Sequence, residues 1–398
     1  MRKDRGADTR TKKKETVMQL RNWMVSVVVA TAATAGVNAQ EKGGNFETGA
    51  YEVVPDWPRP MHEDYGWGRT AAVFAESPDR VFVFQSGELP RLSRPVGAGE
   101  IPIRPAALEN NGPDGCPCPV SRAETGLEGR WEHLLMIFNR EGELVDSWEQ
   151  HNHRFVRPHS VKISPYDPER HVWIVEDGAH MIYKFTNDGE RLVMSLGEFE
   201  TPGDNDDPNR FNRPTDIAFF PNGDFVVSDG YVNARVVKFN GDGEYLMHWG
   251  TPGRGPDAGP GEMNTVHGIA IDAQERVYVS DRGNQRIQVF DANGGHLDTW
   301  PGIRFPLSMG MARDQNLWVN DGNIGRFLKF DLEGRLLFNW GTFGHRPGQM
   351  WGVHAFSTDS EGNLYTAEVW GGRAQKFRPK PGADPAQLIG PLDTTRVN

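Results

Sequence analysis

Short apolar segments of about five or six residues recur along most of the chain, and turns rich in Gly, Asp and Pro separate them. Beyond the first 40 residues, no long stretch has apolar residues at helical spacing. Short apolar runs bounded by turn residues are typical of buried strands. The pattern therefore predicts an all-β protein.

The apolar segments group into a unit that occurs five times in clear form. Each unit contains a first strand, a second strand ending near an acidic residue, a third strand ending in Phe, a polar turn and a fourth strand. The predicted first strands are Pro158–Ile163, Pro214–Phe219, Val266–Ile271, Pro306–Met311 and Val353–Ser357. The predicted second strands are Val172–Asp177, Phe225–Asp229, Val277–Asp281, Leu317–Asp321 and Leu364–Glu368.

A sixth, weaker unit precedes these five. Its first three strands are predicted at Thr70–Ala75, Val81–Phe84 and Leu134–Phe138, with a Pro/Gly-rich insertion at about 87–130. Units of four short strands that repeat every ~40–50 residues are typical of the blades of a propeller. The six units therefore predict a single six-bladed β-propeller within residues 40–398.

Two segments are candidates for the outer strand that closes the ring, namely Tyr51–Val54 and Ala386–Ile389. Fourth strands that end in Trp-Gly, at Trp249–Gly250 and Trp340–Gly341, are predicted to pack blades together rather than to bind a ligand.

One position of the repeat carries candidate chemistry. The second residue of each first strand is, in order, Ala71, His159, Thr215, His267, Leu307 and His354. Only 12 of 398 residues are His, yet three of them occupy this position in alternate units. First strands line the channel of a propeller, so the pattern predicts a three-histidine metal site with an open fourth position. Imidazole without thiolate favours zinc, with iron, copper and nickel as alternatives, whereas the competing interpretation is three polar residues at a channel mouth.

Two further residues follow second strands, near the same end of the channel. Tyr231 follows Asp229-Gly230, and Arg282 follows Asp281. A phenol and a guanidinium beside a metal are suited to proton transfer and to binding an anion, and the alternative is that both are surface turn residues. The recurring Asp177, Asp229, Asp281 and Asp321 are predicted to cap turns.

Several of these segments resemble the NHL-repeat propellers and, more narrowly, the peptidyl-α-hydroxyglycine α-amidating lyases. The resemblance is carried by Arg213–Ala218, Val227–Phe239, Val266–Gly268 and Ser280–Gln288. It implies that zinc binds His159, His267 and His354, and that Tyr231 and Arg282 are catalytic. The implied reaction splits a peptidyl-α-hydroxyglycine into a peptide amide and glyoxylate, with Tyr231 taking the hydroxyl proton.

The chain also departs from the family pattern. Ser86 stands where the family has a second active-site Arg, and Gly352 where it has a Met. Ala355 replaces a carboxylate that helps to hold a structural calcium, and Val232 replaces a Cys. We therefore expect the family's fold and zinc but not its calcium site, and a small-molecule or peptide-like substrate that need not be the family's own. A non-catalytic NHL propeller that binds a protein or ligand, and a metal-dependent hydrolase or lactonase, remain alternative interpretations.

The N-terminus has the features of an export signal. Arg21 precedes an apolar run at 23–37, and Val37-Asn-Ala39 has small residues where a signal peptidase cleaves. The sequence predicts a signal peptide at 1–39, with Met18 as an alternative start, and a secreted or periplasmic protein without a membrane anchor after cleavage. An uncleaved anchor is the alternative, although the run is shorter than the ~20 residues of a span.

Charge and cysteine content limit the partners. Residues 1–39 carry eight Lys/Arg and three Asp/Glu, so their removal takes the formal charge from −11 to −16. An acidic domain is a poor candidate for binding nucleic acid. Cys116 and Cys118 are the two cysteines and are interpreted as a loop feature, with a local or intermolecular disulfide as the alternative. The sequence does not indicate an oligomeric state.

Overall fold

The computed structural model describes residues 48–90 and 130–392, so the predicted signal peptide, both cysteines and most of the insertion lie outside the described residues. These residues contain 28 strands, labelled in chain order. The strands up to the end of the second blade are β1 (Tyr51–Val53), β2 (Tyr65–Trp67), β3 (Thr70–Ser77), β4 (Arg80–Gln85), β5 (Glu88–Pro90), β6 (Leu135–Phe138), β7 (Leu144–Ser147), β8 (Pro158–Ile163), β9 (Val172–Glu176), β10 (Met181–Phe185) and β11 (Leu192–Leu196).

The remaining strands continue the same repeat. They are β12 (Pro214–Phe219), β13 (Phe225–Asp229), β14 (Arg235–Phe239), β15 (Tyr245–Trp249), β16 (Thr251–Pro252), β17 (Glu262–Met263), β18 (Val266–Ile271), β19 (Val277–Asp281), β20 (Arg286–Phe290), β21 (His296–Pro301), β22 (Pro306–Met311), β23 (Leu317–Asp321), β24 (Arg326–Phe330), β25 (Leu336–Trp340), β26 (Val353–Thr358), β27 (Leu364–Glu368) and β28 (Arg373–Pro379). The described 3-10 helices include Glu149–Arg154, Arg282–Asn284 and Pro385–Gln387. No helix among the described residues is long and apolar enough to cross a membrane.

The strands form six four-stranded antiparallel sheets, which are the blades of the propeller. Blade 1 is β3-β4-β6-β7, blade 2 is β8 to β11, blade 3 is β12 to β15, blade 4 is β18 to β21, blade 5 is β22 to β25, and blade 6 is β26-β27-β28-β1. The pairs β2-β5 and β16-β17 form two small additional ribbons. The predicted six-bladed all-β propeller is therefore confirmed.

The hydrophobic core is divided into six clusters, and each cluster lies between neighbouring blades. Phe82 of blade 1 belongs to the same cluster as Ile174 of blade 2, and Val83 of blade 1 belongs to the same cluster as Ala367 of blade 6. The second strands of the blades are buried on both faces. Because both faces lack contact with water, their sequences are continuous apolar runs. The last contact, between blades 6 and 1, closes the ring.

The N-terminal candidate supplies the closing strand. β1 pairs antiparallel with β28, with Tyr51 opposite Pro379 and Val53 opposite Phe377. The other candidate, Ala386–Ile389, does not form a strand, because Pro385–Gln387 is a 3-10 helix. The Trp residues that end fourth strands pack between blades as predicted. Trp249 lies in the cluster between blades 3 and 4 and covers Gly294, where an added Cβ would come within 2.7 Å of the indole.

Candidate active site

Three histidines converge at the channel from the innermost strands of alternate blades. His159 is the second residue of β8, His267 of β18 and His354 of β26. The strand pairing is irregular just there, for example between Pro158 and Ser160, so the histidine is released from the ladder and turns into the channel. One ligand nitrogen from each ring lies within 4.8 Å of the other two.

Backbone carbonyls orient two of the three rings. His267 Nδ1 donates to the carbonyl of Leu307 at 2.5 Å, and His354 Nδ1 donates to the carbonyl of Ala71 at 2.7 Å. Leu307 and Ala71 occupy the histidine position in the next blades, so blades 5 and 1 orient these two rings through their backbone, whereas Nδ1 of His159 has no hydrogen-bond partner among the described residues. A proton on Nδ1 leaves the Nε2 lone pair of each ring available to a metal.

Burial lowers the pKa of all three imidazoles well below the usual value of 6.5. After burial, a different charged neighbour lowers the pKa of each ring. The His354 ring lowers the pKa of His159, and Arg282 lowers that of His267. The charge of Arg69 lowers the pKa of His354. The rings are therefore neutral at physiological pH, which is the state that binds metal. Three neutral nitrogens at these separations fit a zinc-type ion with an open coordination position.

Tyr231 lies directly against this histidine ring. Its hydroxyl is 3.2 Å from His159 Nε2 and 3.1 Å from His267 Nε2, and its side chain is buried. Gly230 makes this approach possible, since a Cβ at that position would collide with the carbonyl of Val266. The structure thus brings Tyr231 together with the predicted metal ligands.

Four arginines surround the phenol. The guanidinium carbons of Arg157, Arg213 and Arg282 lie 5.2, 4.4 and 5.0 Å from the centroid of the Tyr231 ring, within cation–π distance. Arg69 reaches the same group of side chains: its Nη1 donates to the carbonyl of Pro158 at 2.5 Å, and its Nη2 lies 3.4 Å from His354 Nε2. Arg282 is buried, and its Nη1 has no hydrogen-bond partner among the described residues.

Sequence reasoning identified Arg282 but not the other three. Arg69, Arg157 and Arg213 each stand directly before the first strand of their blade, in three successive blades. An Arg at the same offset in consecutive repeats is a signal of the same kind as the histidine pattern. Burial lowers the pKa of Arg69 to about 10, and the Arg157 charge acts in the same direction, so Arg69 stays charged at neutral pH.

Strand pairing corrects the grouping of the acidic residues. Pro158 pairs with Glu176, just as Pro214 pairs with Asp229 and Val266 with Asp281. Glu176 is therefore the blade 2 counterpart of the recurring Asp, and including Asp177 in that series is wrong by one residue. Asp229 Oδ1 and Asp281 Oδ1 accept the backbone N–H groups of Asn212 and Asn264 at 2.9 and 2.7 Å, which is a structural role.

Asp177 instead occupies the position that Arg282 has in blade 4. Its Oδ1 accepts hydrogen bonds from Arg157 Nη1 at 3.1 Å and Arg213 Nε at 3.3 Å. Its Oδ2 lies 4.0 Å from His159 Nε2. Asp177 thus holds two of the arginines beside the phenol.

The structure also describes the positions of residues that differ from the family pattern. Ser86 follows β4 at the corresponding place in blade 1, where it is buried and its hydroxyl has no partner among the described residues. Its backbone N–H donates to the carbonyl of Arg69 at 2.9 Å. The backbone of Ser86 thus lies beside that of Arg69, which stands directly before β3. Val232 is exposed, and Ala355 offers no side-chain oxygen to calcium.

A cavity of about 90 Å³ adjoins the histidines along the channel. It is lined by later residues of the first strands, and neither Tyr231 nor the four arginines line it. Lys162 and Asp216 form an ion pair at 2.7 Å within this lining.

Comparison with known proteins agrees with the fold and the repeat. The NHL repeat family model matches residues 211–239 and 263–290, which cover most of blades 3 and 4. A gluconolactonase from Xanthomonas campestris shares the fold alone, with a TM-score of 0.52, 13% identity, and coverage of 84% of this chain and 92% of that one. The chain is a six-bladed β-propeller with NHL repeats in blades 3 and 4.

Within that class it resembles the peptidyl-α-hydroxyglycine α-amidating lyases. Lyase 1 of Drosophila melanogaster is 32% identical over 285 residues, which are 66% of this chain and 51% of that protein. Human NHL repeat-containing protein 3 is 31% identical over 173 residues, which are 42% of this chain and 48% of that protein. The chain thus spans about half the length of these curated relatives.

Proposed function

We propose that the protein is a zinc-dependent lyase that cleaves an N-acyl-α-hydroxyglycine-like carbinolamide to an amide and glyoxylate. The observation that carries the proposal is the position of the Tyr231 hydroxyl, within 3.2 Å of two histidine nitrogens and enclosed by arginines. A phenol in that place is available to move a proton at an oxygen held beside the metal. Relatives at 32–34% identity that are named as amidating lyases or monooxygenases support the same class of reaction.

Each group of residues has a separate role in the proposed reaction. His159, His267 and His354 would hold the metal, which when bound supplies Lewis acidity toward a substrate oxygen. Tyr231 accepts the proton of the substrate hydroxyl as the C–N bond breaks. The electron pair of that bond leaves with the amide nitrogen, which takes up the proton, and the carbon becomes the aldehyde of glyoxylate.

The charges around Tyr231 favour a substrate that carries a carboxylate. Arg282 is buried beside Tyr231, forms no ion pair with a carboxylate among the described residues, and its Nη1 has no hydrogen-bond partner among them. Uncompensated buried charge is costly, and a guanidinium binds a carboxylate with paired hydrogen bonds. An α-hydroxyglycine brings the missing negative charge, whereas a neutral lactone does not. The arginines therefore favour the lyase over the lactonase alternative.

A glyoxylate assay tests the proposal. Zinc-loaded protein is incubated with an N-acyl-α-hydroxyglycine, and glyoxylate is compared with that from His159→Ala and His153→Ala proteins. His153 is exposed on the 3-10 helix Glu149–Arg154 and serves as the matched histidine control. We expect release by the wild type and the control and loss in His159→Ala. Equal release by all three proteins would reject the lyase and favour a binding propeller, as the similarity to NHL repeat-containing protein 3 allows.

We also propose that the protein is exported and acts as a soluble secreted or periplasmic enzyme. The support is the signal-like sequence at 1–39 and the acidic charge of the rest of the chain. N-terminal sequencing of protein recovered from outside the cytoplasm should begin at Gln40. A chain that still carries the apolar run at 23–37 would contradict cleavage.

A further inference from the structure

A second group of metal-binding side chains lies apart from the histidine ring, beside blade 1. It consists of His62, Glu88 and His133, and one ligand atom from each lies within 4.8 Å of the others. Three separate segments bring them together: His62 precedes β2, Glu88 begins β5, and His133 precedes β6. The ribbon β2-β5 places Glu88 opposite Trp67, and Glu88 also pairs with Arg130 through both backbone hydrogen bonds.

The separations fit a tetrahedral ion. His62 Nε2 lies 3.6 Å from Glu88 Oε2, and His133 Nδ1 lies 3.0 Å from Glu88 Oε1. Ligand atoms held at about 2.0–2.1 Å from a tetrahedral zinc are about 3.3–3.4 Å from one another. The two observed distances lie on either side of this value. They run to the two different oxygens of Glu88, so the carboxylate presents one oxygen to each imidazole, and one ligand atom from each group lies within 4.8 Å of the others.

The buried carboxylate points to a ligand. Glu88 is 1% exposed, and no Lys or Arg forms an ion pair with it among the described residues. Its Oε2 and His62 Nε2 are buried atoms that lack a hydrogen-bond partner within the described part of the chain. A buried carboxylate without a cation or full hydrogen bonding is costly. A divalent ion would satisfy both unpartnered atoms.

Glu149 completes the surroundings of His133. Its Oε1 lies 3.3 Å from His133 Nε2, on the ring nitrogen that does not face Glu88. Metal-binding histidines usually donate their other ring N–H to a carboxylate or carbonyl, which fixes the tautomer. A proton on Nε2 shared with Glu149 leaves Nδ1 of His133 as the ligand atom. His133 also has a left-handed backbone, with φ of 50°, which a non-glycine residue keeps when its surroundings hold it in place.

We propose that His62, Glu88 and His133 bind a second divalent transition-metal ion, of the zinc class, at a site separate from the histidine ring. Two imidazoles and one carboxylate are a common donor set for zinc with a fourth, open position. The ion ties the segment before β2 to β5 and to the segment before β6. Since Ser86 is two residues before Glu88, the tie also steadies the blade 1 edge of the candidate active site.

Metal content in variants tests this proposal independently of the lyase. Protein stripped by a chelator is loaded with Zn²⁺, dialysed and analysed for zinc per chain. Because the ring metal is itself proposed, the decisive protein is His267→Ala, which lacks a complete ring. We expect it to retain one zinc per chain and to lose that zinc when His62→Ala or Glu88→Gln is added. Adding His153→Ala instead should leave the zinc in place.

Thermal unfolding provides a second readout that a merely structural ion pair would not produce. Zn²⁺ should raise the Tm of His267→Ala protein but not that of the His267→Ala/His62→Ala protein. The side chain of His62 is 36% exposed, so its removal should leave the fold intact even if Glu88→Gln disturbs it. A His267→Ala protein that binds no zinc and shows no shift in Tm would overturn the second site, whatever the wild type does with the ring.

Discussion

The hydroxyl oxygen of Tyr231 lies 3.1 Å from Nε2 of His267, and this nitrogen is the one left free when Nδ1 donates to the carbonyl of Leu307. The same oxygen is 3.2 Å from Nε2 of His159. The nitrogens suited to hold a metal therefore face the phenol directly. A metal and the phenol would act on the same substrate atoms.

Replacing Tyr231 by Phe should separate proton transfer from metal binding. The change removes only the hydroxyl, so zinc content should stay the same as in the wild type. Loss of a positioned acid/base group typically costs about 10²–10⁴-fold in turnover, and we expect kcat for glyoxylate release to fall by that amount. Metal analysis and the assay are made on the same preparation. Unchanged kcat would reject Tyr231 as the proton acceptor without affecting the metal site.

Replacing Arg282 should impair substrates according to their charge. Arg282 is buried beside Tyr231 with Nη1 unpartnered among the described residues, so we expect it to bind the substrate carboxylate. Arg282→Gln should lower kcat/KM for an N-acyl-α-hydroxyglycine by about 10²–10³-fold. Arg282→Lys should recover part of this loss, because it keeps the charge but not the planar fork.

The control for Arg282 is a second, uncharged substrate rather than a second variant. The corresponding α-hydroxyglycine amide carries no negative charge, so the wild type should process it poorly and Arg282→Gln should make little further difference. An equal loss for both substrates would show that Arg282 supports the fold of the site and does not bind the carboxylate.

The strand pattern predicted most of the fold because each blade repeats it. The first strands Pro158–Ile163 and Val266–Ile271 have the predicted bounds, and the repeat also placed His159 and His267 at one level of the channel. A position that repeats in sequence must repeat in space around a closed ring. The histidine cluster was thus predictable without side-chain contacts.

Features that depend on exact register or on non-repeated segments were not predictable in the same way. Glu176 and Asp177 are adjacent acids, and only the pairing of β8 with β9 shows which of them is the counterpart of Asp229. His62 and His133 lie outside the repeat, and the β2-β5 ribbon that brings them to Glu88 has no equivalent in the other blades.

The metal-free protein should lose stability as the pH falls below about 6.5, the ordinary pKa of histidine. The pKa values of the ring histidines are lowered in the folded state, so the unfolded chain takes up protons first. The unfolded state then binds more protons, and the free energy of unfolding falls with decreasing pH, by up to about 1.4 kcal/mol per pH unit for each histidine. Stability from this source is fully present above the unfolded pKa.

Unfolding of chelator-treated protein at pH 7.5 and 5.5 measures this dependence. His159→Gln should flatten it, because one buried imidazole is removed, while His153→Ala, at an exposed position, should keep the slope of the wild type. The same slope in His159→Gln as in the wild type would contradict the assignment to the ring.

Closure of the propeller should depend on the hydroxyl of Tyr51. Tyr51 is fully buried in β1, and its hydroxyl accepts the N–H of Ile389 at 2.9 Å and donates to the carbonyl of the same residue at 3.2 Å. Its ring packs against Trp340, with centroids 5.5 Å apart. One side chain therefore holds the closing strand, the C-terminal segment and blade 5 together.

Tyr51→Phe should lower the free energy of unfolding by about 2–3 kcal/mol, because the buried N–H and carbonyl of Ile389 lose their partner while the ring packing remains. Tyr51→Ala should cost more, about 4–5 kcal/mol, since it also opens a cavity against Trp340. Denaturant unfolding of both variants and of the wild type measures the difference. If Tyr51→Phe were as stable as the wild type, the hydroxyl would have no part in closure, and strand pairing between β1 and β28 would account for it instead.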